Sequence, residues 1–142
     1  MTIAAILRTK GAEVTTLPPS ATLAGAVALL AERRIGAAPV VEGEEVVGVF
    51  SERDVIHCLA ANGAAALSLT VGEVMTAPAR TVSPGEPVLG ALSLMTRRRI
   101  RHVPVIDGGR LVGFVSIGDL VKHRIDRIEQ EAEAMRNYIQ SA

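Results

Sequence analysis

The sequence predicts a mixed α/β (α+β) protein made of two copies of one strand, helix, strand, strand, helix unit, followed by a C-terminal helix. Three observations support this. Residues 16–56 align with residues 81–121 at a constant offset of 65 without a gap, and 15 of the 41 aligned positions are identical. The stretch Gly48 to Asp54 recurs as Gly113 to Asp119, in the frame Gly, two apolar residues, Ser, two variable residues, Asp. Helical and strand periods follow one another in the same order in both copies.

The first helix of each copy is predicted from apolar residues that recur at i, i+3, i+4 and i+7, which is one face of a helix. These residues are Leu23, Ala26, Val27 and Leu30 in the first copy, and Val88, Ala91, Leu92 and Met95 in the second. Pro87 suits a first helical turn. We therefore expect one amphipathic helix near the start of each copy.

Two short strands and a tight turn are predicted after that helix. The strands are Ala38 to Val41 and Val46 to Phe50 in the first copy, and Val103 to Ile106 and Leu111 to Val115 in the second. Their β-branched and aromatic residues form runs too brief for a helix. Gly43 and Gly108-Gly109 supply the positive φ that a hairpin turn needs. A helix is predicted to follow each motif serine.

The segments outside the repeat carry no visible chemistry. Thr2 to Arg8 is predicted to form a short helix that stops near Gly11. The join from Ala60 to Ala66 is small and flexible in composition, and Thr70 to Glu73 resembles the start of another short helix. We expect three parts: residues 1–66 as the first repeat with its N-terminal helix and linker, 67–123 as the second repeat, and 124–142 as a C-terminal helical extension.

Each strand, serine, helix junction permits two interpretations. Ser-x-x-Asp resembles a capping box, in which Ser and the acid satisfy free N–H groups at the helix start. Alternatively, Ser51 or Ser116 and the helix start bind a phosphate, while Asp54 or Asp119 accepts hydrogen bonds from a pair of sugar hydroxyls. A single copy does not decide between them, but the surrounding residues are duplicated as well.

Composition excludes several functions. The 142 residues are 49% hydrophobic, and 15 basic residues balance 15 acidic ones, which argues against general binding to nucleic acid or to an anionic membrane. The 2% of aromatic residues leave no platform for stacking bases. The single Cys58 and three scattered histidines form no familiar zinc pattern. Without a membrane-length apolar run or a signal-peptide pattern, we expect a cytoplasmic protein.

The C-terminal segment carries an apolar seam at two positions of each heptad. The seam residues are Val121, Ile125, Ile128, Ala132, Met135 and Ile139, with charged and polar residues between them. Such a seam must be buried, either by folding back along its own domain or by pairing with a second chain. We favour a homodimer, because a narrow stripe suits a partner helix better than a broad core.

With Pro39-Val40, the two Gly to Asp motifs and Arg101-His102-Val103-Pro104-Val105, the chain resembles a tandem pair of CBS domains, the repeat named after cystathionine β-synthase. The resemblance extends from about Ile6 to Ile125. It implies that the two copies pack sheet to sheet with pseudo-twofold symmetry and leave two clefts between them. It also implies an adenosyl ligand in these clefts: AMP, ADP, ATP, NAD(H) or S-adenosylmethionine.

The resemblance further implies roles for individual residues. Asp54 and Asp119 would accept hydrogen bonds from ribose hydroxyls, and Ser51 and Ser116 would bind phosphate. The residues expected around adenine and ribose are Thr16, Ile35, Gly36, Ala37, Val49, Thr81, Ile100, Arg101, His102 and Phe114. Charge for phosphates would come from Arg53, Arg98, Arg99 and Arg101, although residues 97–99 are also readable as a solvated helix end.

The two copies differ at one point of this implied site. Gly36-Ala37 in the first copy corresponds to Arg101-His102 in the second. On this basis, a polyphosphate or dinucleotide is expected to prefer the cleft with the Asp119 motif.

We therefore expect a regulatory protein that senses adenine nucleotides and passes their level to an unknown protein target. An enzyme is one alternative, but no histidine belongs to a recognisable triad and no nucleophile, nucleotide-loop or metalloprotease motif is present. A ligand-free dimeric scaffold is the other alternative, because capping explains both Ser and Asp without a ligand.

Overall fold

The structure, a computed structural model, describes residues 1–11 and 13–141. The first repeat contains α2 (Leu23–Arg33), β1 (Ala37–Glu42), β2 (Glu45–Ser51) and α3 (Glu52–Asn62), and the second contains α5 (Val88–Arg98), β3 (His102–Asp107), β4 (Arg110–Ser116) and α6 (Ile117–Ser141). Outside these units lie α1 (Ile3–Lys10), a 3₁₀ helix (Gly63–Ser68) and α4 (Val71–Val74).

The repeat predicted at an offset of 65 residues is confirmed. Helices α2 and α5 and both strand pairs begin and end at positions that differ by 65. A register shift between Val40 and Val41 recurs between Val105 and Ile106. Arg34 and Arg99, each following the first helix of its repeat, share the left-handed backbone with φ 54°. The duplication therefore extends from sequence to backbone irregularities.

The strand expected at the start of each unit is much shorter than predicted. Leu17 forms a single parallel bridge to Val40, and Val82 forms one to Val105. Each regular sheet is thus a two-stranded antiparallel hairpin, β1 with β2 and β3 with β4, and β2 contacts β4 between the repeats. Prolines explain the short leading strand, because Pro18, Pro19 and Pro84 follow the bridges and lack the N–H that a longer ladder requires.

The segment that precedes each repeat packs into the core of the other repeat. Ile3 and Ile6 of α1 are buried with the apolar residues of α5, β3 and β4. In the first repeat, Ala66 of the 3₁₀ helix and Val71 of α4 fill the corresponding core around Phe50. Helix α1, grouped with the first repeat by chain order, therefore lies against the second. The expected flexible join instead forms the end of α3 and a 3₁₀ helix.

This exchange accounts for the glycine that opens each Gly to Asp motif. A side chain at Gly48 would place its Cβ 2.7 Å from Met75 Sδ and 2.8 Å from the carbonyl oxygen of Thr76. A side chain at Gly113 would collide with the methyl groups of Leu7 in α1. Glycine leaves room at both positions for the exchanged segment, which lies directly against the second strand.

Helix α6 continues without a break from the second repeat into the C-terminal extension. Its seam residues Ile125 and Ile128 are each 49% exposed, and Met135 and Ile139 are 59% and 65% exposed. The helix does not fold back over its own domain, so that alternative from the sequence is wrong for a single chain. Among residues 1–11 and 13–141, no helix is long and apolar enough to cross a membrane.

Candidate functional site

The two Ser to Asp corners are both capping boxes at the start of a helix. The Ser51 N–H donates to Asp54 Oδ2 at 2.9 Å, and the Ser116 N–H donates to Asp119 Oδ2 at 2.8 Å. At the second corner the Asp119 N–H also donates to Ser116 Oγ at 3.1 Å. The capping interpretation is confirmed. It leaves the ligand interpretation open, because a carboxylate has lone pairs for further donors.

A threonine from the segment after α4 reaches the first corner. The Thr76 hydroxyl donates to Asp54 Oδ1 at 3.0 Å. The Thr76 N–H donates to the Val49 carbonyl at 2.9 Å, and the Val49 N–H donates back at 3.0 Å. Thr76 thus pairs with the edge of β2 through its backbone. Its hydroxyl holds Asp54 Oδ1, the oxygen that does not accept from the Ser51 N–H.

A lysine from the end of α1 reaches the second corner. Lys10 Nζ donates to Asp119 Oδ2 at 2.6 Å and to the Phe114 carbonyl oxygen at 2.7 Å. Burial acts to raise the pKa of Asp119, but the hydrogen bonds from Lys10 and from Ser116 outweigh it, so the pKa lies below its ordinary value. Asp119 is therefore held as a carboxylate paired with an ammonium group.

A cavity of about 250 Å³ opens beside the first corner. This is slightly below the roughly 300–1,000 Å³ typical of small-molecule pockets. Its lining residues come from both repeats and from the segment between them: Gly36, Val49, Ser51, Glu52, Arg53, Asp54, Thr76, Pro78, Ala79, Arg80, Arg98, Arg99, Ile100, Arg101 and His102. The first corner therefore faces a concave space between the two repeats.

Arginines dominate the charge around this cavity. The five are Arg53, Arg80, Arg98, Arg99 and Arg101, against the two acids Glu52 and Asp54. Arg53 Nη1 also donates to the Arg99 carbonyl at 3.1 Å and so links α3 to the end of α5. The left-handed turn at Arg99 directs the following residues towards this cleft. The site combines a carboxylate corner with an excess of positive charge.

This arrangement corrects the premise that Arg101 and His102 belong with the Asp119 motif. Both residues line the cavity at Asp54. The positive charge expected to favour phosphates at Asp119 therefore lies in the other cleft. The offset of 65 residues shows which positions of the two copies are equivalent. The cleft is formed between the copies, so the offset could not show which residues share one cleft.

Several predicted site residues lie outside the cavity. Thr16 and Thr81 are exposed next to the short leading bridges, Ile35 packs against the first core, and Ala37 is buried in β1. Three others lie at the second corner and its strand, namely Phe114, Ser116 and Asp119. The remaining predicted residues are together in the lining: Gly36, Val49, Ser51, Arg53, Asp54, Arg99, Ile100, Arg101 and His102.

The lining also contains residues that sequence reasoning missed. Thr76, Pro78, Ala79 and Arg80 form one segment between α4 and the second repeat, and Glu52 follows Ser51. The segment has no motif and no periodicity. No sequence signal therefore marked residues 76–80 as part of the cleft wall.

His102 joins the cavity to the second corner. Its ring stacks on Phe114 with centroids 5.5 Å apart and an interplanar angle of 14°. Burial lowers the pKa of His102, and the nearby Lys10 ammonium lowers it further. The imidazole is therefore neutral near pH 7, and its flat ring lies between the cavity and Phe114 of the second corner.

Side chains that commonly bind metals do not form groups of three within residues 1–11 and 13–141. No group of three or more His, Cys, Asp or Glu side chains lies close enough to hold an ion in this part of the chain. Cys58 is a free, buried thiol in the first core.

The architecture and the paired corners define a protein of the CBS-domain type, and sequence comparison shows the same family. Residues 4–61 and 71–126 each match the CBS domain, so the chain belongs to that family. It is 31% identical over 125 residues to the CBS domain-containing protein YhcV of Bacillus subtilis, with 88% of each chain covered. It is 36% identical over 124 residues to the mitochondrial CBS domain-containing protein CBSX3 of Arabidopsis thaliana, covering 84% of this chain and 60% of that protein.

Solved structures share the same fold. The CBS-domain protein ATU1752 of Agrobacterium tumefaciens has a TM-score of 0.85 and 36% identity, covering 87% of this chain and 99% of that one. The CBS domain pair of MJ0100, solved with 5-methylthioadenosine and S-adenosylmethionine, has a TM-score of 0.79 and 26% identity over 89% and 98% of the chains. CBSX2, solved with AMP, has a TM-score of 0.71 and 25% identity over 80% and 89%.

Proposed function

We propose that this chain is a regulatory module that binds an adenosyl compound in the cleft at Asp54. The observation that carries the proposal is the cavity itself, in which a helix-start carboxylate and five arginines face one concave space between the repeats. The candidates are AMP, ADP, ATP, NAD(H) and S-adenosylmethionine. The proposal assigns no catalysis to the chain.

Asp54 is the proposed acceptor for the ribose diol. Its carboxylate lies beside the start of α3, and a negative charge there would repel a phosphate, so its useful partner is a neutral pair of hydroxyls. The Thr76 hydroxyl that now donates to Asp54 is able to rotate and share the carboxylate with the sugar. Val49 of the first repeat and Ile100 of the second both line the cavity and supply apolar surface for the base.

The arginines are the proposed partners of the phosphate groups. Guanidinium groups bind phosphate oxygens in pairs and stay charged at all physiological pH values. Arg98, Arg99 and Arg101 enter from the second repeat, and Arg53 and Arg80 enter from the other walls. Two relatives in structure support an adenosyl ligand, since one was solved with AMP and the other with 5-methylthioadenosine and S-adenosylmethionine. Of these compounds, only AMP carries a phosphate for the arginines to bind.

Regulation requires that the ligand favours one arrangement of the repeats over another. The cleft takes side chains from both repeats, so a bound ligand changes the free-energy difference between two arrangements of the repeats. A coupling of about 1–3 kcal/mol is enough for a useful switch. We further propose that two chains form a homodimer through the exposed seam of α6, through which a protein target could read the change. The cytoplasm, which holds the nucleotide pool, remains the proposed location.

A matched pair of arginine variants tests the nucleotide proposal. Arg98 lines the cavity, whereas Arg33, at the same position of the first repeat, does not. Calorimetry with AMP, ATP, NADH and S-adenosylmethionine should show binding of at least one compound. Arg98→Gln should weaken binding of a phosphate ligand about tenfold or more, the loss of one charged hydrogen bond. Arg33→Gln should change it less than twofold. Equal losses would contradict the assignment.

A ligand-free dimeric scaffold is the second candidate function. It is favoured by the capping boxes, because the serine and aspartate side chains at both corners already hydrogen-bond to protein groups. Thermal denaturation separates the two candidates. A nucleotide at one hundred times its dissociation constant should stabilise the chain by about 2.7 kcal/mol. No shift with any of the four compounds would favour the scaffold.

A further inference from the structure

We propose that Lys10 decides which corner accepts a nucleotide, because its ammonium group occupies the place beside Asp119 that a ribose diol would fill. The Asp54 cleft then binds the ligand, and the Asp119 corner stays closed while α1 is in place. This inference rests on the proposed function and adds a selection between its two clefts.

Lys10 contacts the residues of the second corner that correspond to those contacted by Thr76 at the first. Thr76 donates to the Val49 carbonyl and to Asp54, and Lys10 donates to the Phe114 carbonyl and to Asp119. Phe114 and Asp119 are the residues 65 positions after Val49 and Asp54. One side chain therefore contacts the corresponding carbonyl and carboxylate that a backbone amide and a hydroxyl contact in the first copy. The carboxylate oxygens differ: Thr76 donates to Asp54 Oδ1, and Lys10 donates to Asp119 Oδ2, which also accepts from the Ser116 N–H.

The chemical difference between these two groups determines whether a sugar can enter. A threonine hydroxyl is neutral, both donates and accepts, and is able to rotate away from Asp54. An ammonium group has three donors and no acceptor, and Lys10 bonds Asp119 Oδ2. A diol that donates to both oxygens of Asp119 must therefore displace Lys10 from Oδ2. The same carboxylate motif is thus accessible at one corner and neutralised at the other.

The local backbone explains why a lysine reaches this place. The position 65 residues before Thr76 is Gly11, which ends α1 with φ 97° and has no side chain. The last residue of α1 fills the space instead. Helix α1 is fixed by Ile3 and Ile6 in the second core, so Lys10 is held in place by a packed helix.

Calorimetry with AMP tests the selection. Wild-type protein should bind one AMP per chain, and Lys10→Met, which keeps the apolar stem but removes the charge, should bind two. The added site should disappear in Lys10→Met/Asp119→Asn. Arg8→Met removes a charge from the same helix at an exposed position and should leave one AMP per chain.

Three results would overturn the inference. Two AMP molecules on the wild-type chain would show that Lys10 closes nothing, while leaving the nucleotide function intact. One AMP on both wild type and Lys10→Met would show that the corner is not a latent site. No AMP on any variant would overturn the nucleotide function together with the selection.

A second inference follows from the charges along α6. We infer that two copies pair through this helix in parallel and in register. The seam places Ile125, Ala132 and Ile139 at heptad position a, and Val121, Ile128 and Met135 at position d. These residues are exposed in the single chain. The occupant that fits is a second copy of the same helix.

Charges beside the seam select the orientation. In a parallel pair, position g of one helix faces position e of the next heptad in the other, which joins Arg124 to Glu129 and Glu131 to Arg136. An antiparallel pair that covers all six apolar positions brings Glu129 and Glu131 each against its own copy, and Lys122 against Arg136. Shifting the antiparallel pair by one heptad relieves this repulsion but leaves apolar residues uncovered.

Charge reversal tests the parallel pair by sedimentation. Glu129→Arg should weaken the dimer at least tenfold, and Arg124→Glu/Glu129→Arg should restore it.

Disulfide formation gives a second readout in a Cys58→Ala background. Ile139→Cys should cross-link to itself. A cross-link between Val121→Cys and Ile139→Cys chains, without self-linking, would establish the antiparallel pair. A monomeric wild type at high concentration would overturn the inference.

Discussion

The corners at Asp54 and Asp119 share their backbone but differ in what reaches them. Strand, serine, capping box and helix start are repeated at an offset of 65. Thr76 reaches the first carboxylate and Lys10 the second. Both come from segments outside the aligned residues 16–56 and 81–121. The comparison teaches that duplication preserves a scaffold while the flanking segments decide what each copy can bind.

The largest expected effect concerns the two cores. Phe50 and Val115 occupy the same position of the repeat and are both fully buried. Phe50→Ala should cost about 3–5 kcal/mol of unfolding free energy. Val115→Ala should cost about 2 kcal/mol, because it removes two carbon atoms at about 0.8 kcal/mol each and leaves a small cavity. Urea denaturation measures both values. Equal costs would contradict the expectation that the loss of stability follows the amount of buried side chain removed.

The motif glycines should also respond differently. Gly48→Ala meets the Thr76 backbone carbonyl, which cannot move easily, whereas Gly113→Ala meets only the end of the Leu7 side chain. We expect losses of about 3 and about 1 kcal/mol, the upper and lower ends of the usual overpacking range. Urea denaturation of the two variants measures the difference. A larger loss for Gly113→Ala would contradict the described packing of α1.

The left-handed arginines sharpen the functional comparison. Arg34→Gly and Arg99→Gly should each change stability by about 1 kcal/mol or less, because glycine relieves the positive φ. Only Arg99 lines the cavity. Arg99→Gly should therefore weaken binding of a phosphate ligand about tenfold by calorimetry, while Arg34→Gly leaves it unchanged. Equal binding by both variants would remove Arg99 from the site.

The smallest expected effect is on acid stability. Because the pKa of folded Asp119 lies below its ordinary value, its stabilising contribution is present above the unfolded pKa of about 4 and is lost as the pH falls through the folded pKa. Lys10→Met should raise this pKa towards its unfolded value, so the stabilising contribution of Asp119 should become smaller. Carboxyl carbon NMR measures the pKa directly. Arg8→Met should leave the pKa of Asp119 unchanged. An unchanged pKa of Asp119 in Lys10→Met would argue against the ion pair.

Local patterns in the sequence were enough to predict most of the secondary structure. The hairpin glycines Gly43, Gly108 and Gly109 have positive φ as expected, and the short helix after Thr70 begins with a capping box. These features depend on neighbours in the chain, which periodicity and turn chemistry report.

Contacts between distant segments could not be predicted in the same way. The approach of Lys10 to Asp119 joins residues 109 positions apart, and no local preference indicates it. The assignment of Arg101 to the wrong cleft has the same origin, since the cleft wall comes from the opposite repeat. The leading strands were overestimated because the prolines after Leu17 and Val82 limit pairing more than the apolar pattern suggests.

Calorimetric titration of AMP into Asp54→Asn and Asp119→Asn tests the central claim most directly. The account predicts that Asp54→Asn lowers the affinity about tenfold or more, the usual value of a hydrogen bond to a charged group, and that Asp119→Asn changes it less than twofold. Equal losses in the two variants, or a loss confined to Asp119→Asn, would contradict it.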